Sequence, residues 1–208
     1  MVGGEQLDCV LLVGHVVPPP LCREHSGGAP GSLPKRSRET AILNDTETLS
    51  PVLPNETEEA TRRLLAKACE RDLMFATAES CTGGMLASLL TDVQGVAHAF
   101  ERGFVTYTNE AKNEMLGVPL ELIEEKGAVS KEVAIAMAEG TLARSRANIA
   151  LSITGFADSG DEPGLVHLAC ARAGRVTIHR EEHFGPGGRG ATRIACMKSA
   201  IDMMTEML

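Results

Sequence analysis

The sequence predicts an α/β fold in which helices flank a mixed sheet. Short apolar runs without helical period alternate with segments whose apolar residues recur at helical spacing, a pattern typical of strands joined by crossover helices. Near the end, two strand-like segments at residues 165–172 and 175–184 surround Ala173-Gly174. This pair predicts a late hairpin, and therefore an antiparallel part of the sheet.

The predicted elements follow one another in a simple order. A helix opens at Asn55 with acidic residues in its first turn, as the helix dipole favours. Asn109 is an N-cap candidate for the first helix after the second strand, and Ser130 is the natural N-cap of the long central helix. The full prediction is helix from 55, strand 73–78, helix from 85, strand 99–108, helices 109–116, 119–125 and 131–144, strand 149–154, loop 156–164, the hairpin, and helix 189–208.

The first 52 residues differ from the rest of the 208-residue chain. They contain Pro18-Pro19-Pro20, a Gly/Ser-rich run at 26–32 and a basic patch at 35–38, and apolar residues are sparse after Leu21. We expect a disordered N-terminal extension over 1–52 and one folded domain over 53–208. The basic patch fits a solvated tail or a contact with an acidic partner, and a misassigned start codon would also produce such a segment.

Composition excludes several functional classes. Aromatic residues make up 3% of the chain, with no Trp, which argues against a base-stacking surface and predicts an aliphatic core. The formal net charge of −8 disfavours binding to nucleic acid through phosphates. No apolar run reaches the length of a membrane span. The six Cys include no C-x-x-C pair, so we expect free thiols in a reducing cytoplasm rather than a zinc site.

The strand-turn-helix at residues 73–87 is the strongest candidate for chemistry. The polar cluster Glu79-Ser80-Cys81-Thr82 and then Gly83-Gly84 follow the strand, at the end where α/β sheets usually place their sites. We expect the hydroxyl and the thiol to lie beside unpaired N–H groups at the helix start, which favour developing negative charge. The alternative is that Ser80 or Thr82 is only an N-cap.

A serine nucleophile needs a base, and no His lies in an obvious partner position. Lys112 is a candidate base if burial lowers its pKa, with Tyr107 as proton relay or oxyanion donor. Arg189 and Arg193 are four apart at a Gly-rich helix start and could form a fork for a phosphate. Each residue also has a plainer interpretation: a solvated lysine, a half-buried strand tyrosine and a surface arginine pair.

Several motifs occur together in one order: Glu79 to Gly84, Gly103-x-x-x-Tyr107-Thr108-Asn109-x-x-Lys112, Leu116-Gly117-Val118, Gly127 to Ser130, Thr154-Gly155 and Arg189-x-x-x-Arg193. In this order they resemble the CinA C-terminal domain family, the nicotinamide-nucleotide amidohydrolases, over about residues 56–208. The resemblance is specific because it combines many short motifs, each of them weak alone.

The resemblance implies a three-layer α/β/α sandwich with a mixed, mostly parallel sheet. It implies hydrolysis of the carboxamide of nicotinamide mononucleotide to nicotinate mononucleotide and ammonia, in pyridine nucleotide salvage, without metal or cofactor. Ser80 would be the nucleophile, with Lys112 as its base and Tyr107 assisting. The substrate-binding residues it implies are Thr82, Gly83, Gly84, Asn109, Thr154, Gly155, Arg189 and Arg193, the arginines holding the phosphate. A homodimer, with the small-molecule nucleotide as the other partner, is also implied.

One loop departs from the family pattern. After Thr154-Gly155 the family has a small apolar residue, then Ala-Gly-Pro and further glycines, whereas this chain has Phe156 and three acidic residues, Asp158, Asp161 and Glu162. Gly188 also replaces an Asp before Arg189. If the loop faces the phosphate, its charge weakens binding of an anionic substrate. The alternative function is therefore a catalytically impaired or redirected module that binds or regulates another protein.

Overall fold

A computed structural model of the chain describes residues 53–93 and 95–208. The predicted N-terminal extension over residues 1–52 lies outside the described residues, as do Cys9 and Cys22. The extension and the domain boundary at residue 53 therefore stay predictions. The four described cysteines are free thiols.

Helices and strands follow one another along the described residues in the order that the sequence predicts. The helices are α1 (Asn55–Glu70), α2 (Met85–Thr91), α3 (Asn109–Leu116), α4 (Leu120–Lys126), α5 (Lys131–Ala143) and α6 (Arg189–Glu206). The strands are β1 (Phe75–Glu79), β2 (Phe100–Val105), β3 (Ile149–Gly155), β4 (Leu165–Arg172) and β5 (Ile178–His183), and a short 3₁₀ helix, Ala97–Ala99, precedes β2. Across residues 53–93 and 95–208, no helix combines the length and the apolar character that crossing a bilayer would need.

The five strands form one sheet in the order β2-β1-β3-β4-β5. The pairings of β1 with β2 and with β3 are parallel, and those of β4 with β3 and with β5 are antiparallel. Four strands therefore run in one direction and β4 opposes them. The prediction of a mixed sheet with a late hairpin is confirmed.

Helices cover both faces of this sheet. On one face α1, α2 and α6 pack together and against the sheet, and on the other α5 lies across the strands and contacts α3 and α4. The α1/α2/α6 side is filled by leucine, isoleucine and methionine, with Phe75 as its one fully buried aromatic side chain. On the α5 side, Ala134 and Ala138 pack against Ala169 and Ala171, which lets the helix lie close to β4. The α/β class and the aliphatic core follow the prediction, and the layering is that of an α/β/α sandwich.

Several element boundaries differ from the sequence prediction, and the second strand ends at Val105, before Tyr107. Thr108, and not Asn109, is the N-cap of α3, and its hydroxyl accepts a hydrogen bond from the Ala111 N–H at 3.1 Å. The second strand begins at Phe100 because residues 97–99 form a 3₁₀ turn. The last strand begins at Ile178 because β4 offers pairing partners only to residues 178–183. The prediction for Ser130 is confirmed, since its hydroxyl accepts from the Val133 N–H at 3.3 Å.

A close backbone approach joins α5 to the end of α3. At Gly140 in α5, a Cβ atom would lie 2.2 Å from the Leu116 carbonyl oxygen, well inside van der Waals contact. Only glycine allows this approach without a backbone shift. The contact matters for the site because α3 also carries Lys112.

We predict that Gly140→Ala lowers the free energy of unfolding by about 1–3 kcal/mol, because the added methyl group must displace the Leu116 backbone. The sign is diagnostic, since the same change in an unobstructed helix interior is stabilising by about 0.5–1 kcal/mol. Urea denaturation measures the effect. Gly187→Ala is the matched control: its Cβ would meet only the Ala191 Cβ atom, at 3.4 Å. A stabilised Gly140→Ala variant would contradict the role of this contact.

Candidate active site

The carboxyl ends of β1, β2 and β3 meet at one edge of the sheet. Pairing continues past the strand ends there: the Ser80 N–H donates to the Ile153 carbonyl at 3.0 Å, and the Thr106 N–H donates to the Glu79 carbonyl at 2.8 Å. From β1 the chain passes first to β2 on one side and later to β3 on the other. This reversal is the topological switch point at which α/β sheets bind ligands.

Glu79, the last residue of β1, organises the turn into α2. Its carboxylate is 1% exposed and accepts hydrogen bonds from three backbone N–H groups, those of Gly84 at 3.1 Å, Leu86 at 3.0 Å and Ala87 at 2.8 Å. These are the N–H groups that a helix start leaves without an intrahelical partner. The negative charge also lies at the positive end of the helix dipole. A side chain from the preceding strand therefore caps α2.

This cap corrects two expectations about the turn. Neither Ser80 nor Thr82 is the N-cap of α2; Gly84 holds that position, with φ of 97° and no side-chain cap bond. The helix N–H groups that were expected to be unpaired are bonded to Glu79. The Ser80 hydroxyl is consequently not used as a cap. Thr82 is 2% exposed, and its hydroxyl has no hydrogen-bond partner in the part of the chain that the structure describes.

Lys112 reaches the Ser80 hydroxyl from α3. Its side chain is 1% exposed, and Nζ lies 3.3 Å from Ser80 Oγ and donates to the Thr106 carbonyl at 3.0 Å. Among the described residues no carboxylate lies within ion-pair distance of Nζ. Burial lowers the pKa of the Lys112 ammonium, and the nearby Cys81 sulfur opposes this to a smaller extent. A buried, uncompensated amine beside a hydroxyl has the properties of a general base.

Ser80 and Lys112 lie on the wall of a cleft of about 390 Å³. This volume is within the range usual for small-molecule sites. The other lining residues come from the turn after β1, the ends of β2 and β3, the 128–129 segment, the loop after β3 and the start of α6: Cys81, Tyr107, Ala128, Val129, Thr154, Gly155, Phe156, Ala157, Asp158, Ser159, Gly160 and Arg189.

Tyr107, the only tyrosine of the sequence, lies at the mouth of this cleft. Its side chain is 63% exposed, and within the described part of the chain the phenol has no hydrogen bond to Ser80 or Lys112. The structure thus brings Ser80 and Lys112 together and leaves Tyr107 on the wall beside them. A role in proton transfer would require the phenol to engage once a substrate is bound.

The residues predicted to bind substrate divide into two groups. Three of them line the cleft: Thr154, Gly155 and Arg189. The Thr154 hydroxyl donates to the Ala128 carbonyl at 2.8 Å, which holds this wall together. Five do not line it: Thr82, Gly83, Gly84, Asn109 and Arg193. Arg193 instead donates through Nε to the Cys81 carbonyl at 2.8 Å, so it stabilises the main chain of the turn between β1 and α2.

The sequence reasoning gave Glu79 no role in the site and gave Cys81 only a place beside the helix start. Glu79 was seen only as part of a polar cluster, although a carboxylate five to eight residues before the N–H groups it binds is a recognisable signal once the turn is known. Cys81 lines the cleft directly after Ser80. A hydrogen bond with the buried Cys196 thiol lowers the pKa of Cys81, and burial acts in the opposite direction.

The comparison with family models decides the ancestry of this arrangement. The model of the CinA C-terminal domain matches residues 57–208, which include every element described above except the first two residues of α1. The chain belongs to the CinA C-terminal domain family. The resemblance drawn from the motifs is therefore confirmed.

Curated relatives and solved structures agree with this membership. A protein of Escherichia coli K12 named nicotinamide-nucleotide amidohydrolase PncC is 48% identical over 141 residues, which cover 65% of this chain and 85% of that protein. A CinA-like protein of Chlorobium phaeobacteroides is 43% identical over 159 residues, or 73% of this chain and 37% of that protein. The chain spans about a third of the length of such longer curated relatives.

Among solved structures, the competence/damage inducible protein CihA of Agrobacterium tumefaciens superposes with a TM-score of 0.73 at 42% identity. The match covers 76% of this chain and 99% of that structure. A CinA superfamily protein of Escherichia coli matches with a TM-score of 0.70 at 29% identity over 80% of this chain. The predicted fold class is confirmed by these likenesses as well as by the sheet itself.

We predict that Glu79→Ala lowers the free energy of unfolding by about 2–4 kcal/mol, because three N–H groups at the start of α2 lose a charged acceptor. Glu79→Gln keeps one acceptor oxygen and should cost less. Glu124→Ala, which removes an exposed carboxylate from α4, is the matched control and should stay within about 0.5 kcal/mol of the unmodified protein. Equal effects of the changes at 79 and 124 in chemical denaturation would refute the capping role.

Proposed function

We propose that the chain is an amidohydrolase that acts on the carboxamide of a pyridine nucleotide, with nicotinamide mononucleotide as the reference substrate. The observation that carries the proposal is the buried Lys112 amine, 3.3 Å from Ser80 Oγ, in a cleft at the switch point of the sheet. Family membership supports the same reaction, because a relative of 48% identity is named nicotinamide-nucleotide amidohydrolase.

In this proposal Ser80 is the nucleophile and Lys112 its base. The neutral amine has a lone pair that can take the proton of the Ser80 hydroxyl as Oγ attacks the amide carbon. The bond between the amide carbon and nitrogen then breaks, ammonia leaves with a proton returned by Lys112, and an ester on Ser80 remains. Water, deprotonated by the same amine, hydrolyses the ester to the acid and restores the hydroxyl.

The Thr106 carbonyl and Tyr107 have supporting roles. By accepting one N–H of Lys112 at 3.0 Å, the Thr106 carbonyl directs the amine toward Ser80. In this proposal Tyr107, which lines the cleft, donates to the developing oxyanion or relays a proton to the leaving nitrogen once substrate is bound. A cytoplasmic location, a role in salvage and a homodimer belong to the same proposal.

The first prediction from this mechanism concerns the catalytic pair. Ser80→Ala should lower ammonia release from nicotinamide mononucleotide by more than about 10³-fold, because no other hydroxyl takes the place of the nucleophile. Lys112→Met should lower it by about 10²–10⁴-fold, the usual contribution of a general base. Thermal unfolding of Lys112→Met shows whether the variant still folds. Because the methionine thioether is neutral, its burial requires no desolvation of a charge, and the variant should be at least as stable as the unmodified protein.

The outcome also separates the enzyme from the alternative of a binding or regulatory module. Unchanged turnover in Ser80→Ala would refute the assignment of the nucleophile. Absence of turnover by the unmodified chain on nicotinamide mononucleotide and on related amides would favour the module instead.

A second prediction concerns pH. Since burial lowers the pKa of Lys112 in the folded protein, kcat/KM should rise with pH through a single ionisation below the ordinary lysine value of about 10.4. Between the folded and the unfolded pKa the unfolded chain binds more protons, so the free energy of unfolding should also rise with pH in that window. Lys112→Met should lose this stability increment, whereas Lys126→Met, at an exposed position, should keep it. Superimposable stability profiles for the unmodified and Lys112→Met proteins would contradict the shifted amine.

A further inference from the structure

The loop after β3 places an acidic residue, Asp158, against Arg189 on the cleft wall. Asp158 binds Arg189 through two hydrogen bonds, from Nη2 to Oδ1 at 2.6 Å and from Nε to Oδ2 at 3.1 Å. Both side chains line the cleft, and each is about two-fifths exposed. This two-point geometry is the one by which arginine recognises carboxylates and phosphates.

The backbone around Asp158 is anchored, so the carboxylate is not a freely moving surface group. The Thr192 hydroxyl, one turn along α6 from Arg189, donates to the Ala157 carbonyl at 2.9 Å. The Phe156 N–H donates to Leu165 and the Gly164 N–H donates to Phe156, at 2.9 and 2.7 Å. Two consecutive loop residues, Ala157 and Asp158, are thus each hydrogen-bonded to a side chain of α6.

No second cation on the cleft wall is available to an anion. Among the described lining residues only Lys112 and Arg189 are basic, and Lys112 is 1% exposed and held between Thr106 and Ser80. Arg193 does not line the cleft. Any phosphate that enters must therefore compete with Asp158 for Arg189.

We propose that Asp158 determines the substrate specificity of the cleft: by neutralising Arg189, it removes the advantage of a phosphate, so the unphosphorylated pyridine nucleoside amide binds at least as well as the nucleotide. The inference rests on the proposed function and names its substrate class as nucleoside as well as nucleotide carboxamides. A phosphate that displaced Asp158 would stay beside the anchored carboxylate, and the repulsion would offset what Arg189 contributes.

The other acidic residues of the loop provide an internal control. Glu162 is bound to His183, with Oε1 2.6 Å from Nδ1, and is outside the cleft lining. Asp161 also lies outside the lining, is exposed, and has no ion-pair partner within the part of the chain that the structure describes. Asp158→Asn and Asp161→Asn therefore remove the same charge from the same loop, and only the first frees Arg189.

Calorimetric titration of the 208-residue chain carrying Ser80→Ala tests the proposal without turnover. Nicotinamide mononucleotide and nicotinamide riboside are the two probes, because they share the amide and differ by the phosphate. With Asp158 present, the affinity for the riboside should be higher than the affinity for the nucleotide or equal to it within about threefold. Asp158→Asn should raise nucleotide affinity about tenfold or more, a gain equal to one charge-assisted contact, and leave riboside affinity unchanged. Asp161→Asn should leave the ratio of the two affinities unchanged, and Asp158→Asn with Arg189→Gln should lose the gain.

The remaining outcomes overturn one claim or the other. A tenfold preference for the nucleotide with Asp158 present, an equal effect of the changes at 158 and 161, or no binding of either probe to any variant would overturn the role of Asp158. A shifted ratio without ammonia release from either amide by the Ser80 protein would overturn the hydrolase and retain the specificity assignment. If the protein releases ammonia but Asp158→Asn does not change the ratio of the two affinities, the hydrolase is retained and the role of Asp158 is overturned.

Discussion

The geometry of the site depends on the hydrogen bonds that the buried Glu79 carboxylate accepts. Glu79 ends a strand that is covered on both faces, where a negative charge would be costly without partners. The first turn of α2 provides them, in the form of three N–H groups that would themselves be costly if left unpaired. Each group satisfies the other, and the geometry of the strand-to-helix turn follows. The residue inside that turn, Ser80, is then held near Lys112 with its hydroxyl uncommitted to the helix.

The rest of the fold supplies what this turn cannot. The parallel pairing of β1 with β2 continues into the Thr106 N–H, and the Thr106 carbonyl in turn positions Lys112. The amine reaches its place because α3 begins at the Thr108 cap and ends against Gly140 of α5. The position of the Lys112 side chain on α3 therefore depends on the pairing of β1 with β2 and on Gly140 in α5. This packing buries the amine, and the burial, not a neighbouring charge, lowers its pKa.

Much of this could be predicted from the sequence, because the signals were local. Apolar runs, the Ser130 cap and the turn at Ala173-Gly174 each depend on residues within a few positions of one another, and each was found, although the strand after that turn begins at Ile178 instead of residue 175. Ordered motifs also identified the family. The misassigned features were of two kinds. Adjacent cap candidates, Thr108 and Asn109, differ by one residue, which propensity alone does not resolve. The cap of α2 comes from the strand before it, a connection that local capping rules do not consider.

Contacts between distant segments explain the remaining differences. Asp158 and Arg189 are 31 residues apart, and Arg193 and the Cys81 carbonyl are 112 apart, so neither pairing has a signature in sequence spacing. The loop from 156 to 164 is tied at its ends by backbone hydrogen bonds, and its contact with α6 at Ala157 also uses a main-chain carbonyl. Among the described residues, no side chain of this loop hydrogen-bonds to Ser80 or Lys112. The loop is therefore separable from its neighbours: residues 157–163 can be exchanged, and the charge of the cleft wall altered, without removing a side-chain hydrogen bond of Ser80 or Lys112.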